Sequence, residues 1–173
     1  MVEDVDKTAK RFDAKPVKDA KISAASLHDT SALRFDLFQL MISNTDWSKS
    51  FQHNSKLIYQ NPKYVPIPYD FDMSGLVNAP YAVVSQINGE QLPVASVRDR
   101  YYRGHCRPSE LTEFIRKEFL SKEEKLLSIP DVLKGELTDK EIKEVKDYLE
   151  EFFIILKDDR LFKHDVLDRC LSL

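Results

Sequence analysis

Asp46, Asn54, Asp70 and Asp72 lie within one stretch, Asn44 to Asp72, with His53 beside Asn54. These residue types suit phosphoryl transfer. That reaction asks little covalent chemistry of the protein: the acceptor hydroxyl must be oriented, the phosphates held, and their charge neutralised by a divalent metal. A carboxylate near the acceptor proton and a carboxamide with a carboxylate on the metal meet the first and last needs. Hard oxygen ligands of this kind select Mg²⁺ or Mn²⁺.

The surrounding elements must bring these residues together. A helix from Asp29 or Thr30 to Ile42 is expected from Leu33, Leu37, Leu40 and Met41, with Phe38 beside them, at the spacing of a buried stripe. It delivers Asn44 and Asp46 in the loop at its C-terminal end. Ser55–Gln60 and Tyr64–Pro68 then read as two strands joined by Asn61-Pro62-Lys63, a proline-containing turn. Pro66 and Pro68 donate no ladder hydrogen bonds, so the second strand is expected to be short or at an edge. Asn54 precedes this hairpin and Asp70 follows it.

Upstream, Glu3 to Phe12 reads as a short helix with acids in its first turn and Lys7, Lys10 and Arg11 toward its end, and Asp13 to Ser23 as a connecting loop. Met73 to Gln91 holds Gly75, Asn78-Ala79-Pro80 and Asn88-Gly89 and reads as loop with room for one hairpin; Pro93 to Tyr102 reads as briefly extended. The C-terminal third is helical. Pro108-Ser109 starts one helix with Leu111, Phe114, Ile115 and Phe119 on its apolar face. Thr138-Asp139-Lys140-Glu141 forms a capping box opening a second, which buries Ile142, Val145, Leu149, Phe152, Phe153 and Leu156. A last helix is expected over Asp159–Leu171. The fold class is therefore mainly α with a small β-hairpin (α+β), in a single domain over 1–173. Residues 1–28 form an N-terminal helix and linker, 29–107 the site, hairpin and substrate-side loops, and 108–173 the C-terminal helices.

The bulk composition narrows the partners. With 26 Lys plus Arg against 29 Asp plus Glu the formal charge is -3, so no global basic field attracts nucleic acid. No apolar run is long enough to span a membrane and the acidic opening is unlike a secretory signal, which leads to a cytoplasmic expectation for the chain as written. Cys106 and Cys170 form no C-x-x-C pair, and their spacing indicates neither a zinc knuckle nor a disulfide framework. Arg98, Arg100, Arg103 and Arg107 could grip a phosphate or an acidic substrate; pairing with surface acids is the commoner role of such a group. His53 reads as a hydrogen-bonding loop residue, Trp47 as packing, and Cys106 beside His105 as no nucleophile.

N-T-D-W followed by H-N, and then P-Y-D-F-D after a hairpin, resembles the atypical kinase-like families, in particular the CotH-type spore-coat kinases and more loosely the HipA-type and phosphatidylinositol-kinase-type enzymes. The resemblance implies the C-terminal lobe of a protein-kinase-like fold that uses ATP with Mg or Mn to phosphorylate a hydroxyl on a protein or small molecule. It implies Asp46 as the catalytic carboxylate, Asn54 as a metal ligand on the nucleotide side, and Asp70 as the principal metal ligand. Asp72 stands where a D-F-G segment has glycine, which leaves open which Asp of the pair leads. The interval from Asp46 to Asn54 exceeds that of the kinase catalytic loop, so Trp47 to Gln52 must bulge out for Asn54 to return to the site. Glu3-Asp4-Val5-Asp6 with Ala9-Lys10-Arg11 looks like the segment just past an interlobe hinge. Gly75, Gly89, Gly104 and Gly135 are too scattered for a phosphate-covering loop, and no strand precedes the site to carry an ATP-binding lysine, so a C-lobe alone is expected. Two other classes share these residues: a non-catalytic, pseudokinase-like remnant or binding module, and a metal-dependent hydrolase using Asp46, Asp70, Asp72 and His53 with water as nucleophile.

Overall fold

The computed structural model describes residues 4–18, 20–87 and 89–173. The order of regular elements is α1 (Val5–Arg11), β1 (Lys15–Val17), α2 (Asp29–Met41), β2 (Ser55–Gln60), β3 (Lys63–Pro68), β4 (Gln86–Ile87), β5 (Glu90–Gln91), α3 (Ser109–Leu120), α4 (Glu123–Ser128), α5 (Asp139–Lys157) and α6 (Asp159–Phe162). This is a mixed α+β arrangement with a small antiparallel sheet.

Helix α2 is the centre of the molecule. Ala32, Leu33, Phe35, Leu37, Leu40 and Met41 are all buried, and so are Asp36 and Gln39, so the helix is enclosed almost all round rather than along one stripe. One side of it meets α3 and α5 in the main core, where Leu33, Leu37 and Leu40 pack with Ile115, Phe152, Phe153 and Leu156. Ala32, near its start, joins Leu27 and Leu57 in a smaller cluster beneath the sheet.

The β2–β3 hairpin forms where the alternating residues and the proline turn place it, in the register Ser55↔Pro68 through Gln60↔Lys63. β3 is an edge, as Pro66 and Pro68 require. A third strand corrects the reading of 13–23 as loop. β1 pairs with β2 through Lys15↔Tyr59, Pro16↔Ile58 and Val17↔Leu57. Three residues with a central proline carry no alternation of their own, and the strand exists because Leu57 and Ile58 give it a partner to lie on.

Two helical boundaries and one face also differ from expectation. α1 begins at Val5, with the Asp4 carboxylate capping it by accepting from the Asp6 and Lys7 N–H groups; Glu3 lies outside the described residues. The last helix stops at Phe162 and passes into a wider π turn over Lys163–Leu167. Phe114 on α3 faces solvent, while Thr112, Ile115 and Arg116 face the core. The capping box of α5 forms as read, the Thr138 and Glu141 side chains each accepting from the other's backbone N–H. β4 and β5 make a minimal ladder flanking Gly89, with Asn88 outside the described residues. The segment from Pro93 to Tyr102 forms no strand.

Cys106 and Cys170 are joined as a disulfide, which overturns the inference drawn from their spacing. They lie 64 residues apart in sequence, so no local pattern announces the bond. The C-terminal segment brings them together by running beside 104–106, Leu171 N–H donating to the Gly104 carbonyl and Cys106 N–H to that of Leu171. No helix among the described residues is long and apolar enough to cross a membrane.

Candidate functional site

The loop that leaves α2 turns sharply. Ser43 takes a left-handed conformation, its hydroxyl donating to the carbonyls of Val97 and Asp99, and Asn44 Oδ1 accepts from Asp46 N–H at 3.0 Å. Trp47 Nε1 donates to the Asn44 carbonyl at 2.9 Å. These bonds turn the chain so that Trp47 is buried against Phe35 while Asp46, between them, stays partly accessible.

The intervening residues do bulge out. Ser48 and His53 exchange both backbone hydrogen bonds, at 2.8 and 3.0 Å, pinching off Lys49 to Gln52 as a closed loop and returning Asn54 to Asp46. Asn54 Nδ2 then donates to both the carbonyl and Oδ2 of Asp46, each at 2.9 Å. His53 Nε2 lies 3.0 Å from the other carboxylate oxygen, Oδ1. Both donor hydrogens of the Asn54 amide are thereby directed to Asp46. The amide orientation is fixed, and among the described residues Oδ1 of Asn54 makes no hydrogen bond.

The sheet carries Asp70 to the same place. The ladder ends at Ser55↔Pro68, and one step further Tyr69 N–H donates to the Asn54 carbonyl at 3.2 Å. Asn54 and Asp70, at the two ends of the hairpin, both adopt left-handed backbone, with φ of 46° and 59°. Asn and Asp tolerate that region better than other L-residues, at a modest cost that tends to collect at functional sites. Although Asp70 is exposed, crowding strips some of its hydration and raises its pKa. The neighbouring charge of Asp72 and a hydrogen bond with that side chain add to the shift, and the charge of Asp46 adds further. Tyr81 Oη donates to Asp72 Oδ2 at 3.2 Å. Among the described residues, no lysine or arginine forms an ion pair with Asp70 or Asp72.

The four sequence-selected residues therefore fall into two adjoining pairs, Asp46 with Asn54 and Asp70 with Asp72. No group of three or more His, Cys, Asp or Glu side chains converges as a metal cage among the described residues. Mg²⁺ does not need one: it keeps several waters and takes one or two protein carboxylates together with substrate phosphates. The carboxamide oxygen of Asn54 and the crowded carboxylates of Asp70 and Asp72, neither with a cationic partner among the described residues, are a chemically suitable donor set for it.

Sequence reasoning missed the support beneath this loop. Asp36 of α2 and Lys49 of the bulged loop form a buried ion pair, with Lys49 also 5.2 Å from the Trp47 ring. Burial pushes the Asp36 carboxyl up and the Lys49 amine down, each opposed by the other's charge. A mid-helix Asp and a loop Lys at unrelated positions have no spacing that signals such a pair. The arginine group is structural rather than a free phosphate grip. Arg107 pairs with Asp29 and Arg100 with Glu151, while Arg98 donates to the Gly75 carbonyl and Arg103 to the carbonyls of Thr45 and Trp47. No family model matches the chain, and neither a curated protein nor a solved structure matches it.

Proposed function

We propose that this chain supplies the C-lobe half of a kinase-like phosphotransferase, with Asp46 as the acceptor-side carboxylate and Asn54 and Asp70, assisted by Asp72, as ligands for Mg²⁺ or Mn²⁺ bound with ATP. One observation carries the reading: Asn54 directs both amide hydrogens at Asp46, so one residue orients the carboxylate and keeps its own oxygen for a metal. In this reading Asp46 receives the hydroxyl proton of the acceptor, a protein or small molecule. Its carboxylate is held in place by Asn54 on one oxygen and His53 on the other. The metal would neutralise phosphate charge and hold the transferring group in line. The hairpin contributes by fixing Asn54 and Asp70 as neighbours before any ligand arrives.

The test is metal-dependent ATP consumption by the protein, expressed with any coding sequence found upstream of Met1. Turnover that requires Mg²⁺ or Mn²⁺ and is abolished in Asp70→Ala supports the assignment; turnover unchanged in that variant refutes it. Two other outcomes identify the alternatives. Metal binding with no nucleotide turnover marks a binding module, and phosphodiester cleavage without nucleotide marks a hydrolase.

A further inference from the structure

We propose that Arg103 is the positioning residue of this site, holding the main chain on both sides of Asp46 so that its carboxylate is aimed before substrate arrives. Its guanidinium donates to the Thr45 carbonyl and, at 3.2 Å, to the Trp47 carbonyl, the two that flank Asp46. The peptide joining Thr45 to Asp46 is thus gripped at both ends, its carbonyl by Arg103 and its N–H by Asn44 Oδ1. The guanidinium also lies over the Trp47 ring at 4.9 Å, and Trp47 is pinned through Nε1 to the Asn44 carbonyl. Both bonds leave one nitrogen, Nη1, while the planar guanidinium lies over the Trp47 ring, and it is this combination of bonds and ring contact that a lysine ammonium does not reproduce.

The support is itself immobilised. Gly104 follows Arg103, and a Cβ there would lie 2.6 Å from Asp36 Oδ2 and closer still to the Tyr102 hydroxyl, so the backbone passes close against these side chains with no space for one of its own. From the other side, the Gly104 carbonyl accepts from Leu171 N–H, and Cys106 is bonded to Cys170. The other arginines of the cluster also hold carbonyls, those of Gly75, Met41, Tyr148 and Ala24, but none of these flanks Asp46.

This inference rests on the phosphotransferase reading for its catalytic meaning but not for its structural content, and the two are tested separately. Hydrogen–deuterium exchange on wild type, Arg103→Met and Arg103→Lys reads the positioning directly. Loss of charge-assisted bonds to both carbonyls is expected to speed exchange over residues 44–49 by about tenfold or more in Arg103→Met, with Arg103→Lys intermediate and with α3 and α5 unchanged. Exchange over 44–49 that stays at the wild-type rate, or that rises equally throughout the chain, overturns the proposal. Turnover then separates the two ideas. If Asp70→Ala abolishes metal-dependent ATP consumption while Arg103→Met keeps the wild-type kcat, positioning by Arg103 fails and the phosphotransferase reading stands. If Arg103→Met lowers kcat at least tenfold with KM for the metal–nucleotide within about twofold, both stand. If Asp70→Ala changes nothing, the phosphotransferase reading falls, and exchange over 44–49 alone decides whether Arg103 orders the loop.

Discussion

Removing the Lys49 ammonium tests how the candidate loop is anchored. Asp36 and Lys49 are almost wholly buried, with side-chain exposures of 0% and 2%, and one Asp36 oxygen has no hydrogen-bond partner among the described residues. Lys49→Met keeps a side chain of similar length but removes the ammonium that lies over the Phe35 and Trp47 rings and leaves the carboxylate without its counter-charge. Breaking a buried pair from one side typically costs about 3–5 kcal/mol. The charges of Arg107 and Arg103 still favour the carboxylate, which places the expected loss near the lower end, about 3 kcal/mol, against a total stability of roughly 5–15 kcal/mol. The pH dependence follows from the sign of the shift. Asp36 is already raised by burial and is raised further without Lys49, so the folded state of the variant holds a proton that the unfolded state gives up near pH 4. Stability therefore falls as pH rises from about 4 toward the folded-state pKa, by about 1.4 kcal/mol per pH unit where the difference is one proton. Asp36→Asn has the opposite sense: Lys49, lowered by burial and by the two arginines, releases its proton earlier when folded, so that variant gains stability as pH rises toward the ordinary lysine range. Asp36→Leu/Lys49→Met removes both charges and is expected to recover most of the loss. Urea denaturation of all four proteins at a series of pH values measures these terms. A Lys49→Met variant that loses less than about 1 kcal/mol, or keeps the wild-type pH profile, refutes the view that this pair anchors the loop.

Under the proposed metal role, Asn54→Ala is expected to lower Mn²⁺ affinity about 10–100-fold and to release Asp46, while Asn54→Asp keeps an oxygen ligand but sets a second carboxylate against Asp46; Mn²⁺ titration compares them. Gly104→Ala forces a methyl group onto Asp36 and the Tyr102 hydroxyl and should cost about 1–3 kcal/mol, read as a fall in urea midpoint. Cys106→Ser opens a covalent loop spanning 64 residues and is expected to cost about 4 kcal/mol by chain entropy, with intact mass under non-reducing conditions first confirming the bond in wild type.

The parts of this fold legible in the sequence are those written in short-range patterns. The α2 periodicity, the Pro62 turn between β2 and β3 and the Thr138–Glu141 box each occupy a few adjacent residues and form where they are read. Features that need two distant segments to meet left no such trace: β1 on β2, Cys106 on Cys170, and Asp36 on Lys49. The candidate site stands between these cases. Its residue types were visible because Asp46, Asn54 and Asp70 flank elements with local signals, but what joins them was not. The Ser48–His53 pinch and the Tyr69 N–H bond to the Asn54 carbonyl supply that join, and they act on backbone groups that nearly all residues share. A sequence specifies such contacts only through the whole fold that delivers them. The side chains of this stretch therefore announce the groups able to do chemistry, while the backbone bonds that aim them belong to the fold as a whole.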